Sequence, residues 1–515
     1  MLKYTKQVMK HFLNPKNVGR IKDADAIGRL ENDACLLPEE KIHKNSENIN
    51  ISDLKENERV LTHTGKFGKI ATIYTRDYKE KIIILKNKLG KISLTPEHLI
   101  YAIKVPNVDK YFRNKGKRKL IPAWYHAEQL RKNDIILYPI LKEEREVENV
   151  KVNIPNFKYY PKSKRIPKKI PVNSEFLRFC GYFLAEGNII DRPCNKKIGF
   201  SFNISEKELV DDVKKISLNL FGLEVKIKEY PERKTTVVSV YNAELAKFFK
   251  KLFGNLAEHK KIPDFIMKLP PEKQKALIFA LWKGDGYVNL NRIGARAEYC
   301  TISYQLVQQI KTLLLRQKIV PSIYEDKEKK VKGVKHQKAY RIHIGQRESL
   351  IKICNILKIK YLPKSFESID SWFNENYLYT PITDIETFFY NGKVYNLKVD
   401  NSHSFVSEAF CLHNCGDIME VYLKIEKKKI KGREKKYIKD IKFQTLGCPV
   451  AIAASDVLCD LVKGKTLEEA EKINDKAITK KLGSLPVIKL HCSVLGSRTL
   501  KDAIEKYRKK LRNTK

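Results

Sequence analysis

The chain has 515 residues, with 101 Lys+Arg against 60 Asp+Glu and a formal net charge of +41, most of it between residues 35 and 414. That length suggests several domains, 42% hydrophobic residues exclude wholesale disorder, and the surplus charge predicts attraction to polyanions, nucleic acid first. No apolar run reaches the roughly 18 residues of a membrane helix, no signal-like stretch opens the chain, and ten cysteines are too sparse for a disulfide framework; a cytoplasmic protein with no membrane contact is expected.

Tyr4 to Leu13 is amphipathic at helical spacing and stops at Asn14-Pro15. From Ile49 to about Ile140 the texture changes to short β-rich runs punctuated by Gly65, Gly68 and Gly90. A Lys- and Pro-rich stretch over 151–173 reads as a linker. Helices and strands then alternate to about Lys360, and the β-rich texture returns from Tyr379 to Asn414. After Cys415 a strand pair (Ile418–Ile425, Tyr437–Gln444) leads to helices around Ala451–Val462 and Leu467–Ile473. A basic amphipathic helix, Leu500–Leu511, closes the chain, its charge reading as a solvated face.

Cys35 and the triplet His413-Asn414-Cys415 form one chemical constellation. A thiol at 35 can attack the carbonyl of Ala34 and convert an amide to a thioester. The thiol of Cys415 can take over that acyl group, and Asn414 can attack its own backbone carbonyl and cleave the chain. His413 can protonate the leaving amine. Ala34 then becomes joined to Cys415.

These residues resemble those of inteins, the self-splicing protein insertions, over 35–150 and 366–414. Thr95-Pro96-Glu97-His98 is similar to the family's TxxH block, so Thr95 and His98 are expected to activate the first scissile bond. Val394-Tyr395-Asn396-Leu397 with His403 and Phe405 resembles the penultimate block, and Phe410 to Asn414 the terminal one. The resemblance implies an all-β Hint-type domain that needs no cofactor, with Cys35, Thr95, His98, His403, His413, Asn414 and Cys415 catalytic. One position departs: such families often carry Asp or Cys where this chain has Asn396, and an amide cannot act as an anionic base. Cys411 reads as a buried thiol.

Two further segments share a logic. Phe179 to Gly187 and Ile278 to Gly286 are apolar and carry small residues four apart (Gly181/Ala185 and Ala280/Gly284). Each ends in a carboxylate followed by glycine. Small residues at i and i+4 lie on one helix face and allow close approach. Pairing would set Glu186 beside Asp285, with Gly187 and Gly286 ending the helices at positive φ. Two hard carboxylates suit Mg²⁺. The pair resembles the LAGLIDADG homing endonucleases, coverage 174–365. That implies an α/β domain binding double-stranded DNA, metal ligands Glu186 and Asp285, and a catalytic lysine at Lys260, with Lys261 its rival.

Joining 1–34 to 415–515 brings together Cys415-Gly416-Asp417, Gly447-Cys448 and His491-Cys492. Three thiols, one Asp and one His offer ligands for Zn²⁺ or an iron–sulfur cluster. The joined text resembles the IscU/NifU-type iron–sulfur cluster assembly scaffolds. The resemblance implies an α+β scaffold, a small antiparallel sheet with helices, split by the splicing domain that is itself split by the endonuclease. It also implies that Cys415, Cys448 and Cys492 hold a nascent cluster in three ligand loops, with Asp417 tuning it and His491 assisting. A cysteine desulfurase as sulfur donor and apo iron–sulfur proteins as recipients would be partners. Cys459 reads as core. Because Cys415 would serve both splicing and the cluster, the unspliced chain is expected to be a poor scaffold. The competing expectations are a non-splicing metal-bound DNA-binding protein and a module that cleaves without ligation.

Overall fold

Local chemistry starts the fold at Thr5, whose hydroxyl accepts from the backbone N–H of Val8 and so caps the Lys6–Leu13 helix. In the computed structural model all residues are described except 1–4, 32–33, 106–120, 155–163, 193–194, 292–293, 332–333, 362–369, 414–417, 431–432, 484, 486–489 and 514–515. The Thr5 hydroxyl also donates to the carbonyl of Leu482 at 2.6 Å, and Val8 is buried among Val450, Val457 and Leu458. The N-terminal helix thus packs on a unit that the chain completes only after residue 417.

That unit is a three-stranded antiparallel sheet in the order Ala26–Glu31, Ile418–Ile430, Arg433–Leu446. Ala26 pairs with Leu423 and Glu31 with Ile418. Helices Pro449–Val462 and Leu490–Asn513 cover one face of it. At Gly28 an added Cβ would lie 2.2 Å from the Thr499 carbonyl oxygen and 2.8 Å from the Ala503 Cβ, so this strand needs glycine to admit the C-terminal helix. Leu500, Ala503, Ile504 and Tyr507 of that helix are buried, so its apolar stripe serves the core while its basic residues face outward. The helix is longer than its periodicity predicts and starts at Leu490. His491 and Cys492 therefore lie in a helical first turn, not in a loop.

The β-rich segments at 35–150 and 366–414 form a second unit. Its spine is the Phe67–Asn87 strand, antiparallel to Asp384–Val399 along almost its whole length, from Lys86 opposite Asp384 to Ile70 opposite Val399. The Cys411–His413 strand lies between Leu99–Ile103 and Ser404–Val406. The chain that follows the Thr95–His98 turn therefore runs beside the strand that carries His413.

Between these halves sits a third unit with internal repetition. Helix Ser174–Glu186, strands Gly187–Arg192 and Asn195–Asn203, helix Lys207–Phe221, strands Val225–Tyr230 and Thr235–Tyr241, and helix Ala243–Phe253 make the first half. The same order recurs from Pro271–Asp285 to Arg347–Ile356, apart from a small added hairpin at Lys329–Val331 and Val334–His336. Both principal sheets have equivalent strand orders, first-second-fourth-third. All their pairings are antiparallel. The unit is accordingly α+β where alternating elements suggested α/β.

The segment read as a linker is different in kind. Asn149–Lys151 pairs with Lys169–Pro171, and Val152, Ile166, Ile170 and Val172 enter the core of the inserted unit. Apolar residues between the prolines bury there, so its described ends belong to that unit.

Candidate functional site

Strand pairing builds the first site. Leu36 and Tyr395 exchange both backbone hydrogen bonds at 2.8 Å, which sets Cys35 and Ala34 beside Asn396. The N–H of Cys35 donates to the Thr95 hydroxyl at 3.0 Å, and the Thr95 N–H returns a bond to the Cys35 carbonyl at 3.0 Å. The Asn396 side-chain amide donates to the Ala34 carbonyl at 2.6 Å, and its own oxygen accepts from the Leu397 N–H at 2.8 Å. Both ends of the Ala34–Cys35 peptide bond are thus held. In the sequence alone, Asn396 is only a position where an anionic base is replaced by an amide.

His98 is fully buried beside this bond, edge-on to Phe405 at 6.1 Å. Burial pushes its imidazole down to about 4, an effect the Cys35 backbone offsets in part. Neither ring nitrogen makes a hydrogen bond of normal geometry to a described residue. His413 is buried against Trp124, ring centroids 5.0 Å apart. Asn414, Cys415 and Asp417 lie outside the described residues. His403 is exposed in the turn before Ser404–Val406, at a φ of +48°. Cys411 is buried, and burial raises its thiol well above the ordinary range.

The second site lies where helices Ser174–Glu186 and Pro271–Asp285 end side by side. A Cβ at Gly181 would lie 2.6 Å from that of Ala280, and one at Gly284 would lie 2.5 Å from that of Ala185, so small residues set the close approach. The glycines after the carboxylates act otherwise than the motif suggests. Gly187 and Gly286 have φ of −82° and −84° and continue directly into strands. A Cβ there would strike the carbonyl oxygens of Phe183 and Trp282, at 2.5 and 2.4 Å. Crowding by the last helical turn, not positive φ, requires them.

Burial, then repulsion from Asp285, pushes Glu186 up to about 7. Burial likewise raises Asp285 to about 6, against the pull of Lys260. Lys260 is buried, its ammonium donating to the carbonyls of Leu184 and Ala185 at 2.9 and 3.1 Å, and desolvation lowers it to about 8. Its rival Lys261 points elsewhere and pairs with Glu47 at 2.9 Å. Glu206 adds to the repulsion on both carboxylates. It opens the Lys207–Phe221 helix, and no motif marks it. Adjacent acids held partly uncharged by burial and repulsion are a donor set that a divalent cation would relieve, so the residues fit one.

In the unit built on the three-stranded sheet, Cys448 is half-buried and opens the Pro449–Val462 helix. The side chains of His491 and Cys492 lie outside the described set. Cys459 is buried, its thiol raised well above the usual range. Among the described residues His11, Asp456 and Asp460 stand close enough to share an ion. Asp456 is already saturated, accepting from the N–H groups of Lys16 and Asn17 and from the Asn17 amide at 2.8–2.9 Å, with His11 Nδ1 at 2.7 Å. It anchors the N-terminal segment.

Residues 397–514 match the NifU-like N terminal domain, and residues 173–254 with 272–358 match the LAGLIDADG-like domain. The first match leaves out 1–34, whose Ala26–Glu31 strand joins the same sheet. An uncharacterized protein of Methanocaldococcus jannaschii is 31% identical over 411 residues, 74% of this chain and 50% of its own length. Iron sulfur cluster assembly protein 1, mitochondrial, of Debaryomyces hansenii is 49% identical over 96 residues, 19% of this chain and 50% of its own. Iron-sulfur cluster assembly scaffold protein IscU 1 of Archaeoglobus fulgidus is 45% identical over 96 residues, 19% of this chain and 58% of its own. The chain spans about half the length of these curated relatives. A crystal structure of I-DmoI in complex with DNA and Mn aligns at 13% identity, covering 37% of this chain and 99% of that one, with a TM-score of 0.28. Among the described residues no helix is long and apolar enough to cross a membrane. The chain carries a NifU-like domain of the IscU/NifU scaffold type, interrupted by an insertion that itself contains a LAGLIDADG-like domain.

Proposed function

We propose that the chain is a precursor that excises residues 35–414 and ligates the two flanking segments into an iron–sulfur scaffold. One observation carries this reading. Glu31 stands opposite Ile418 in the host sheet, and Ala34 and Cys415 each lie three residues beyond that registered pair. Paired Cα atoms are about 5 Å apart and three residues reach at most about 10 Å, so the chain lengths on both sides allow the two junctions to meet. In this reading the pairing of Ala26–Glu31 with Ile418–Ile430 brings the flanking segments together before any bond is exchanged.

In this reading the Cys35 thiol attacks the Ala34 carbonyl, the C–N bond breaks, and the thiol proton ends on the freed amine. Thr95 orients that amine, and neutral His98 is poised to carry the proton. The Cys415 thiol then displaces Cys35, Asn414 cyclises with His413 as acid, and the thioester relaxes to an amide. The spliced host would hold its cluster cargo on Cys415, Cys448 and Cys492, with Asp417 and His491 beside it, receiving sulfur from a cysteine desulfurase. The excised protein would cleave double-stranded DNA, with Glu186 and Asp285 holding Mg²⁺, which when bound supplies Lewis acidity at the scissile phosphate. Lys260 is the adjacent proton carrier.

The test is the intact mass of freshly made protein beside a Cys35→Ala, Asn414→Ala control. By residue share of 59.9 kDa, splicing predicts species of about 16 and about 44 kDa, absent from the control. A persistent full-length mass in both would overturn the reading.

A further inference from the structure

We infer that Asn396 is the oxyanion donor of the first splice junction, replacing base chemistry at this position with hydrogen-bond donation. This inference rests on the splicing reading and deepens it. The orientation of the amide is fixed by its surroundings: the Asn396 oxygen accepts from the Leu397 N–H at 2.8 Å, which leaves the NH₂ to face the Ala34 carbonyl oxygen at 2.6 Å. Tyr395 holds Leu36 by two backbone bonds one residue away, so the donor is mounted on paired strands. Asn396 is buried, so little water competes for its proton.

The oxygen it touches is the one that gains charge. When the Cys35 sulfur bonds to the Ala34 carbonyl carbon, the π pair moves onto that oxygen. It returns as the C–N bond breaks, and the thiol proton passes to the Cys35 amine. In the next step the Cys415 sulfur attacks the same carbon, the same oxygen takes the pair again, and the Cys35 thiolate leaves. One fixed donor therefore serves two successive tetrahedral intermediates, while Thr95 Oγ1 holds the opposite end of the bond. An ionised carboxylate at 396 has no proton to donate and would repel the developing charge. The amide here is a substitution of mechanism, not a lost base.

The experiment isolates the first step in full-length protein blocked by Asn414→Ala and Cys415→Ala, and measures release of residues 1–34 by added dithiothreitol. Asn396→Asp preserves shape and Asn396→Ala removes the donor. Each is expected to slow release by about 10²–10³-fold at pH 7.5, the usual cost of losing one oxyanion donor. The Asp variant should regain rate relative to the parent as pH falls through its own pKa and the carboxyl becomes a donor. A structural role would show no such recovery. Release within threefold of the parent in the Asp variant at pH 7.5, or an Asp variant whose deficit ignores pH, would overturn the assignment. A parent that releases nothing with thiol overturns the splicing reading itself.

Discussion

The two halves of the inserted unit repeat one topology, yet their second helices live in different solvents. Lys207–Phe221 and Tyr304–Arg316 align with the shared pattern Leu-Val-x-x-Val/Ile-Lys-x-Ile/Leu-x-Leu, from Leu209 and Leu306 onward. In the first, Lys214 is exposed and Leu218 is 54% exposed. In the second, the matching Lys311 and Leu315 are 0% and 2% exposed. The second helix docks on the β-rich unit formed by 35–150 and 366–414. Lys311 donates to the Glu408 carbonyl at 2.5 Å, Gln308 to the Glu408 carboxylate at 2.5 Å, and Gln305 and Gln309 both donate to the Ser46 carbonyl. Where the free helix has Asp211 and Asp212, the docked one has Gln308 and Gln309. Burying neutral amides that find partners costs far less than burying carboxylates. Identical periodicity thus produces a solvated helix in one half and an interdomain strut in the other.

The comparison can be broken most strongly at the feature both halves share. On the proposed function, Glu186→Gln and Asp285→Asn are each expected to abolish Mg²⁺-dependent cleavage of double-stranded DNA, while DNA binding by gel shift persists. Cleavage surviving either substitution would show that the halves contribute unequally. Next in size is the helix contact: Gly181→Leu and Gly284→Leu should each cost about 2–3 kcal/mol or more in denaturant melts, because the added side chain meets a packed helix.

The difference between the halves is sharpened by a matched pair. Lys311→Ala should destabilise by about 2 kcal/mol, leaving buried acceptors unsatisfied. Lys214→Ala should stay within about 0.5 kcal/mol, as exposed substitutions do. Equal effects would mean that docking contributes no stability. Smallest is a pH effect. Glu186, raised to about 7, binds its proton more tightly folded than unfolded, so stability falls as pH rises from the ordinary carboxylate range through 7. Without metal, Glu186→Gln should melt higher than the parent at pH 8 and no higher at pH 5. Adding Mg²⁺ should narrow the gap at pH 8.

Much of this was legible in the residues. His413-Asn414-Cys415 with Cys35, the small-residue helices and the spaced thiols each state a chemistry by composition and spacing alone. The elements that obey one period, such as Lys6–Leu13 and the Ile418 and Tyr437 strands, follow from that period. Lys260 and Lys261 are adjacent and of the same residue type, so only packing assigns one to the carboxylates and the other to Glu47. Glu206 carries no motif and acts through space.

What the sequence by itself marked is the order of three nested units and the candidate reactive groups within each, because hydrophobic periodicity and side-chain chemistry are local properties. The tertiary structure decided which neighbours those groups meet. Asn396 is a mute departure in the chain and becomes a donor only because Leu36 pairs with Tyr395 across more than 350 residues. Leu218 and Leu315 have the same place in the same pattern, and only the surface across from each decides which is buried. Gly187 and Gly286 are needed for the room their helices leave, which no turn rule could say. Long-range contacts carry this information, and spacing along one chain does not encode them.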